Sequence, residues 1–175
     1  MDAVRKLAIG NLVIFIGTVL AAVTEIEAVK LYITGQAVTL EEVAIAAAGI
    51  AAEVTGAVLL MFGLSGYKMT RWGNIAFIGS AAYLIGSLFV IASVLVAAFL
   101  HTYQLISRFQ TVAVASLAAG QAMLGIGFYK LGAERGNKLI KTGGILYVIS
   151  PLVGSITTAC ALRLSEKGKS NDGNT

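Results

Sequence analysis

Long apolar runs dominate the chain, separated by short clusters of polar and charged residues. A helix needs roughly 20 apolar residues to cross a bilayer. The pattern predicts five transmembrane helices, near 11–34, 40–67, 74–100, 105–131 and 137–163. Thr39 followed by Glu42 predicts a capping box at the start of the second, and Gly35 a stop for the first. The expected fold class is all-α: a polytopic membrane helix bundle of five transmembrane helices. Residues 1–165 are expected to form one transmembrane domain, and 166–175 a loose polar C-terminal tail.

The polar punctuation also repeats. Gly10-Asn11, Gly73-Asn74 and Gly136-Asn137 recur every 63 residues, each at the predicted opening of an odd-numbered helix. Asn is a good N-cap, because its side chain accepts from a free first-turn N–H. MFGLSGYKM (61–69) matches MLGIGFYKL (123–131), and IGSAAYLIG (78–86) lies over TGGILYVIS (142–150). The pattern predicts a tandem parallel repeat of about two and a half units. The first helix is then a copy of the third and fifth, which argues against a cleaved secretory signal.

Composition sharpens this picture. Of 175 residues, 57% are hydrophobic and 13% charged, against about 25% charged in a soluble domain. The net charge of +4 is carried by basic residues that flank apolar runs. That is a topology signal rather than a nucleic-acid footprint. Arg5, Lys6, Lys68, Arg71, Lys130, Arg135, Lys138 and Lys141 fall on one side of a five-span topology. The expected location is the cell membrane, multi-pass, with the N-terminus cytoplasmic and the C-terminus outside. Tyr67, Trp72 and Tyr129 fit an inner aromatic belt, and Tyr32 and Tyr103 an outer one.

One carboxylate breaks the second apolar run. Glu53 is the fourteenth residue of the predicted second helix, and Glu25 is as far along the first. The two are expected to share a depth, as neighbours across a short loop. Ala44, Ala48, Ala52 and Gly56 form a four-residue-spaced stripe that favours close helix packing in lipid. Gly49, Ala52, Glu53 and Gly56 fall within one arc of about 100°, so Glu53 belongs to the packed face. An ionised carboxylate at this depth costs at least ~2.5–3.5 kcal/mol. The expectation is a protonated acid hydrogen-bonded among Ser87, Ser116, Gln121, Ser150 and Ser155. Pro151 also leaves the Tyr147 carbonyl without its usual helical donor.

Other chemistry is sparse. His101 is the only histidine and Cys160 the only cysteine, so no intrachain disulfide and no ordinary N/S zinc set can be assembled. No metal and no cofactor is expected. HExxH, GxSxG and a phosphate loop are absent, and the chain is not expected to be an enzyme. Lys130, Arg135, Lys138 and Lys141 cluster where anionic lipid headgroups would lie. The expected partners are the bilayer and further copies or partner membrane subunits, with no nucleic acid.

GFYKLGAERGNKLIKTGGILYVISPLVG (127–154) is similar to the closing segment of an archaeal family of small multi-span membrane proteins, catalogued as domain of unknown function 996. The resemblance falls on Phe128, Leu131, Gly132, Ala133, Glu134, Arg135, Gly136, Ile140, Thr142, Gly143, Gly144, Ile145, Leu146, Tyr147 and Ile149. LLMFGLSGYK (59–68) resembles an earlier helix end of that family, and residues 24–42 lie outside the pattern. The resemblance implies an archaeal integral membrane protein and supplies no activity or site. The leading functional expectation is a non-enzymatic structural or interaction subunit. The alternative is a proton- or cation-handling channel or transporter centred on Glu53.

Overall fold

A computed structural model gives the architecture. It describes residues 2–34, 39–67, 70–99 and 103–171, and side chains over 2–23, 39, 41–67, 70–96 and 104–165. Six helices follow in order: α1 (Ala3–Thr34), α2 (Leu40–Ser65), α3 (Arg71–Phe99), α4 (Tyr103–Glu134), α5 (Lys138–Ile149) and α6 (Pro151–Asn171). No strand occurs among the described residues. Four helices are long and apolar enough to cross a membrane, over Ala3–Val23, Glu41–Ser65, Arg71–Val96 and Gln104–Glu134.

The second helix starts as its sequence dictates. The Thr39 side chain accepts from the Glu42 N–H while the Glu42 carboxylate accepts from the Thr39 N–H, closing the capping box. The first helix starts at Ala3, well before Asn11. The three Gly-Asn pairs therefore serve three different purposes. Asn11 is fully buried inside α1 and donates from Nδ2 to the Leu7 carbonyl at 2.8 Å. Asn74 sits in the first turn of α3. Asn137 alone caps a helix, accepting from the N–H groups of Leu139 and Ile140. Gly136 before it has φ +61, a conformation that glycine adopts at little steric cost. The predicted stop at Gly35 lies outside the described residues, and helix α6 runs through most of the expected loose tail.

The expected fifth span is the principal correction. It breaks at Ser150, which is extended at φ −147, ψ 106, and restarts at Pro151. Pro suits the first position of a helix, where its missing N–H is not needed. The break is a reversal rather than a kink. Gly143 lies against Thr158, and Gly154 lies against the backbone of Tyr147. A bend of 90° would hold residues 143 and 158 about 16 Å apart at 1.5 Å rise per residue. Helices α5 and α6 thus form an antiparallel hairpin. Its first arm has 12 residues, about 18 Å, too short to cross a hydrocarbon core of ~30 Å.

The hairpin changes the topology. Helix α1 packs on α2, α2 on α3, α3 on α4, α4 on α5, α5 on α6, and α6 back on α1. Sequential neighbours are antiparallel: Leu7 meets Gly63, Ala76 meets Gly127, and Gly132 meets Lys141. The hairpin returns the chain to the end from which α5 set out. Both termini therefore lie at one end of the bundle, the terminal end, and the expected placement at opposite ends does not hold. Helix α6 overshoots the start of α5 by about eight residues, or ~12 Å.

Packing is close because glycines recur at heptad spacing. Gly49, Gly56 and Gly63 of α2 face Gly17, Gly10 and Leu7 of α1, with backbone on backbone. Small residues allow such approach where lipid supplies no hydrophobic drive. The four-residue alanine stripe does not serve this purpose, since Ala44 and Ala48 are exposed. The core lies toward the terminal end, around Leu60, Leu64, Phe128, Ile140, Tyr147 and Leu162. Trp72 belongs to it at 3% exposure, its ring tilted 38° to that of Tyr67 with centroids 5.0 Å apart, and so is not a lipid-facing belt residue.

Candidate functional site

The approach of α1 to α2 fixes where Glu53 points. A side chain at Gly17 would meet Glu53 Cγ at 2.7 Å and Gly49 O at 2.8 Å, so the carboxylate stem lies flat against bare α1 backbone. Glu53 is half-buried and directed into the bundle, as its place on the helix predicts. At the next residue of α1 after Gly17, the Thr18 hydroxyl lies 3.3 Å from Glu53 Oε1 and 2.9 Å from the Ile14 carbonyl. From α3, the buried Tyr83 hydroxyl reaches the side chains of both Glu53 and Thr18. Three helices thus deliver one carboxyl and two hydroxyls to one point of the interior, and Tyr147 is fully buried nearer the terminal end, at the head of the hairpin.

Thr18 has one hydroxyl proton and two acceptors in reach, the Glu53 carboxyl and the Ile14 carbonyl, and the latter also accepts within its own helix. A threonine or tyrosine hydroxyl both donates and accepts, so the groups around Glu53 can bond its carboxyl with or without its proton.

Access differs between the two ends. Toward the terminal end, the hairpin and α1–α4 close around a packed core. Beyond the hairpin's head, the backbones of α1 and α4 do not come close among the described residues, and between residues 104 and 119 of α4 only Ala113 is buried. Ser107, Val114 and Gln121 follow, at heptad spacing, the face of α4 that packs on α5 at Gly125. Gln121, half-buried, stands just above the hairpin's head.

The other expected polar neighbours of Glu53 do not join it. Ser87 is buried and donates to the Tyr83 carbonyl at 3.1 Å. Ser155 is buried on α6 and donates to Leu152 O at 3.0 Å. Ser116 is half-buried on α4, and Ser150 forms the hairpin turn. Glu25 has its side chain outside the described residues, as do Tyr32, His101 and Tyr103. Its expected level is corrected by the backbone: Gly17, eight residues earlier on α1, is what lies opposite Glu53. Thr18 was missed because a threonine inside an apolar run carries no signal of its own. Tyr83 and Tyr147 did carry one, as the aligned tyrosines of IGSAAYLIG and TGGILYVIS.

At the terminal end, Lys130 and Lys141 are half-buried and Arg135 and Lys138 exposed around the α4–α5 turn. The Lys141 ammonium sits 5.0 Å over the Tyr129 ring, a cation–π contact. Among the described residues no group of three His, Cys, Asp or Glu side chains is placed to hold a metal, and Cys160 is exposed. No protein-family model, curated protein or solved structure matches the chain. The function is therefore argued from these residues alone.

Proposed function

We propose that this is a multi-pass membrane protein in which Glu53 loads and releases a proton on a path through the bundle. The observation that carries the reading is the convergence of Thr18 and Tyr83, from two other helices, on one intramembrane carboxyl. Packing alone needs no such cluster, since an interhelical hydrogen bond in lipid contributes only ~0.6 kcal/mol on average. Ionisable groups at membrane depth mark ion and proton paths. Glu53 is only half-buried, and on the side away from the termini α1 and α4 do not approach among the described residues, which supports an entrance from that side. The proposal inverts the order of the two readings drawn from sequence, and a structural subunit becomes the outcome if the site proves inert.

Purified protein in liposomes is expected to show proton uptake driven by a pH gradient, with Glu53→Gln lowering the rate at least tenfold. Glu53→Gln retains shape and hydrogen bonding but carries no exchangeable charge. Absence of uptake in the wild type, with Glu53→Gln altering only thermal stability, returns the protein to the structural reading.

The hairpin supports one orientation. Among the described residues ten basic residues belong to helices or turns toward the terminal end and two, Lys30 and Arg108, to the other. By the positive-inside rule we infer both termini in the cytoplasm and the opposite end of the bundle outside. Epitope tags at the two termini are expected to bind antibody only after the membrane is permeabilised. A C-terminal tag detected on intact cells would mean that the last segment crosses the membrane after all.

A further inference from the structure

Three oxygens in the half of the bundle between Glu53 and the terminal end are fully buried and have no hydrogen-bond partner: Asn11 Oδ1, Tyr147 Oη and Thr158 Oγ1. Each comes from a different helix, α1, α5 and α6. Helix α6 packs on both others, and Thr158 lies against Gly143 of α5. Counting from the paired positions Leu7–Gly63, Ala76–Gly127 and Gly144–Tyr129, Asn11 and Tyr147 share a level. Glu53 lies about two turns above them and Thr158 about one turn below, at 1.5 Å per residue. Asn11 also lies seven residues from Thr18, on the same face of α1, so the stripe that reaches Glu53 continues downward.

Buried polar groups in folded proteins are satisfied by protein or by ordered water. We propose that these three oxygens bind internal water, extending a hydrated path from Glu53 toward the terminal end as far as Thr158. The inference rests on the reading of Glu53 as the proton-carrying group and extends it inward. Spacing favours water over a metal ion. A cation such as sodium needs its oxygens gathered around one point, whereas the residues that carry these are spread over about one turn of the bundle axis. Tyr147 and Thr158 can both accept and donate, and Asn11 Oδ1 accepts. A proton leaving the Glu53 carboxyl joins the first water as another leaves the last water, beside Thr158. Every hydroxyl on the way accepts one proton and gives up another, so only Glu53 changes charge.

Two measurements on the full-length protein in liposomes test the path. Radiolytic hydroxyl-radical footprinting in oxygen-18 water labels side chains beside bound water. Tyr147 is expected to be oxidised despite its complete burial, and an unlabelled Tyr147 overturns the proposal whatever the transport result. The second measurement is proton uptake in Tyr147→Phe and Thr158→Val, which remove one hydroxyl each and keep the shape. Tyr147→Phe is expected to reduce uptake at least tenfold and Thr158→Val at least threefold, both at wild-type thermal stability. Unchanged uptake in both overturns the path, and Thr158→Val decides alone if Tyr147→Phe fails to fold. Uptake that follows a sodium gradient instead of a proton gradient replaces the water with a bound ion. A labelled Tyr147 in a wild type without proton uptake leaves the hydrated interior standing and removes the Glu53 reading.

Discussion

Gly154→Val is expected to prevent closure of the α5–α6 hairpin. A Cβ at this position would overlap the Cα and N atoms of Tyr147. Those are backbone atoms of a helix held on its other face by α4, where Gly144 meets the backbone of Tyr129. Neither side chain rotation nor a small local shift relieves the overlap. Overpacking of a well-packed core typically costs 1–3 kcal/mol, and a clash of backbone on backbone belongs above that range, at ~4 kcal/mol or more. Thermal unfolding in detergent should show it as a large fall in melting temperature. Gly66→Ala supplies the control, since a Cβ there meets nothing within 4 Å. Equal melting temperatures for Gly154→Val and the wild type would mean that the chain does not reverse at Ser150.

Gly17→Leu is expected to have the second large effect, and it joins stability to the site. The added side chain would enter space held by Glu53 Cγ at 2.7 Å, Glu53 N at 2.8 Å and Gly49 O at 2.8 Å. Helices α1 and α2 must separate to admit it. That loosens the glycine seam over its length and withdraws Thr18 from Glu53. A loss of ~3 kcal/mol or more is expected, with proton uptake falling as far as in Glu53→Gln. Gly17→Ala should fall between, since only the Cβ intrudes. A Gly17→Leu protein with wild-type stability and uptake would show that α1 and α2 are not in backbone contact there.

Much of the fold was legible because hydrocarbon imposes simple rules. Apolar run length located α2, α3 and α4 to within a few residues, and the Thr39–Glu42 box marked a helix start correctly. The inward aim of Glu53 also followed from its place on the helix, although the seam it joins is the heptad Gly49–Gly56–Gly63 rather than the alanines. What failed has a physical cause. A single proline in an apolar run permits a kink, because neighbouring groups can satisfy the freed carbonyl. The same residue also opens a new helix. Only tertiary contact separates the two, here through Gly143, Gly144 and Gly154, which let α5 lie against α6 and α4 at once. The Gly-Asn pairs misled in a similar way. One dipeptide is buried in α1, lies in the first turn of α3 and caps α5, because neighbouring helices differ at each place.

The site was half legible. A carboxylate in an apolar run announces itself by its cost, so Glu53 stood out. Its partners do not, because threonine and tyrosine are tolerated at any depth in a helix. Serines that appeared suited to the task, such as Ser87 and Ser155, instead return their hydroxyl proton to their own helix. Whether a side chain bonds its own helix or reaches across is settled by a distance of a few ångströms, which composition does not encode.

The short first arm of the hairpin has a consequence for how the protein is made. During synthesis each long apolar segment can leave the translocation machinery sideways into lipid as it emerges. A segment of 12 residues offers too little apolar length to do so alone. It can enter only once α6 has followed, and only into a gap already framed by α1 and α4. Contact between α1 and α6 is therefore the last to form in the bundle. Until then the nascent bundle presents an unfilled side, and a chain truncated at Ile149 would be left permanently at that stage.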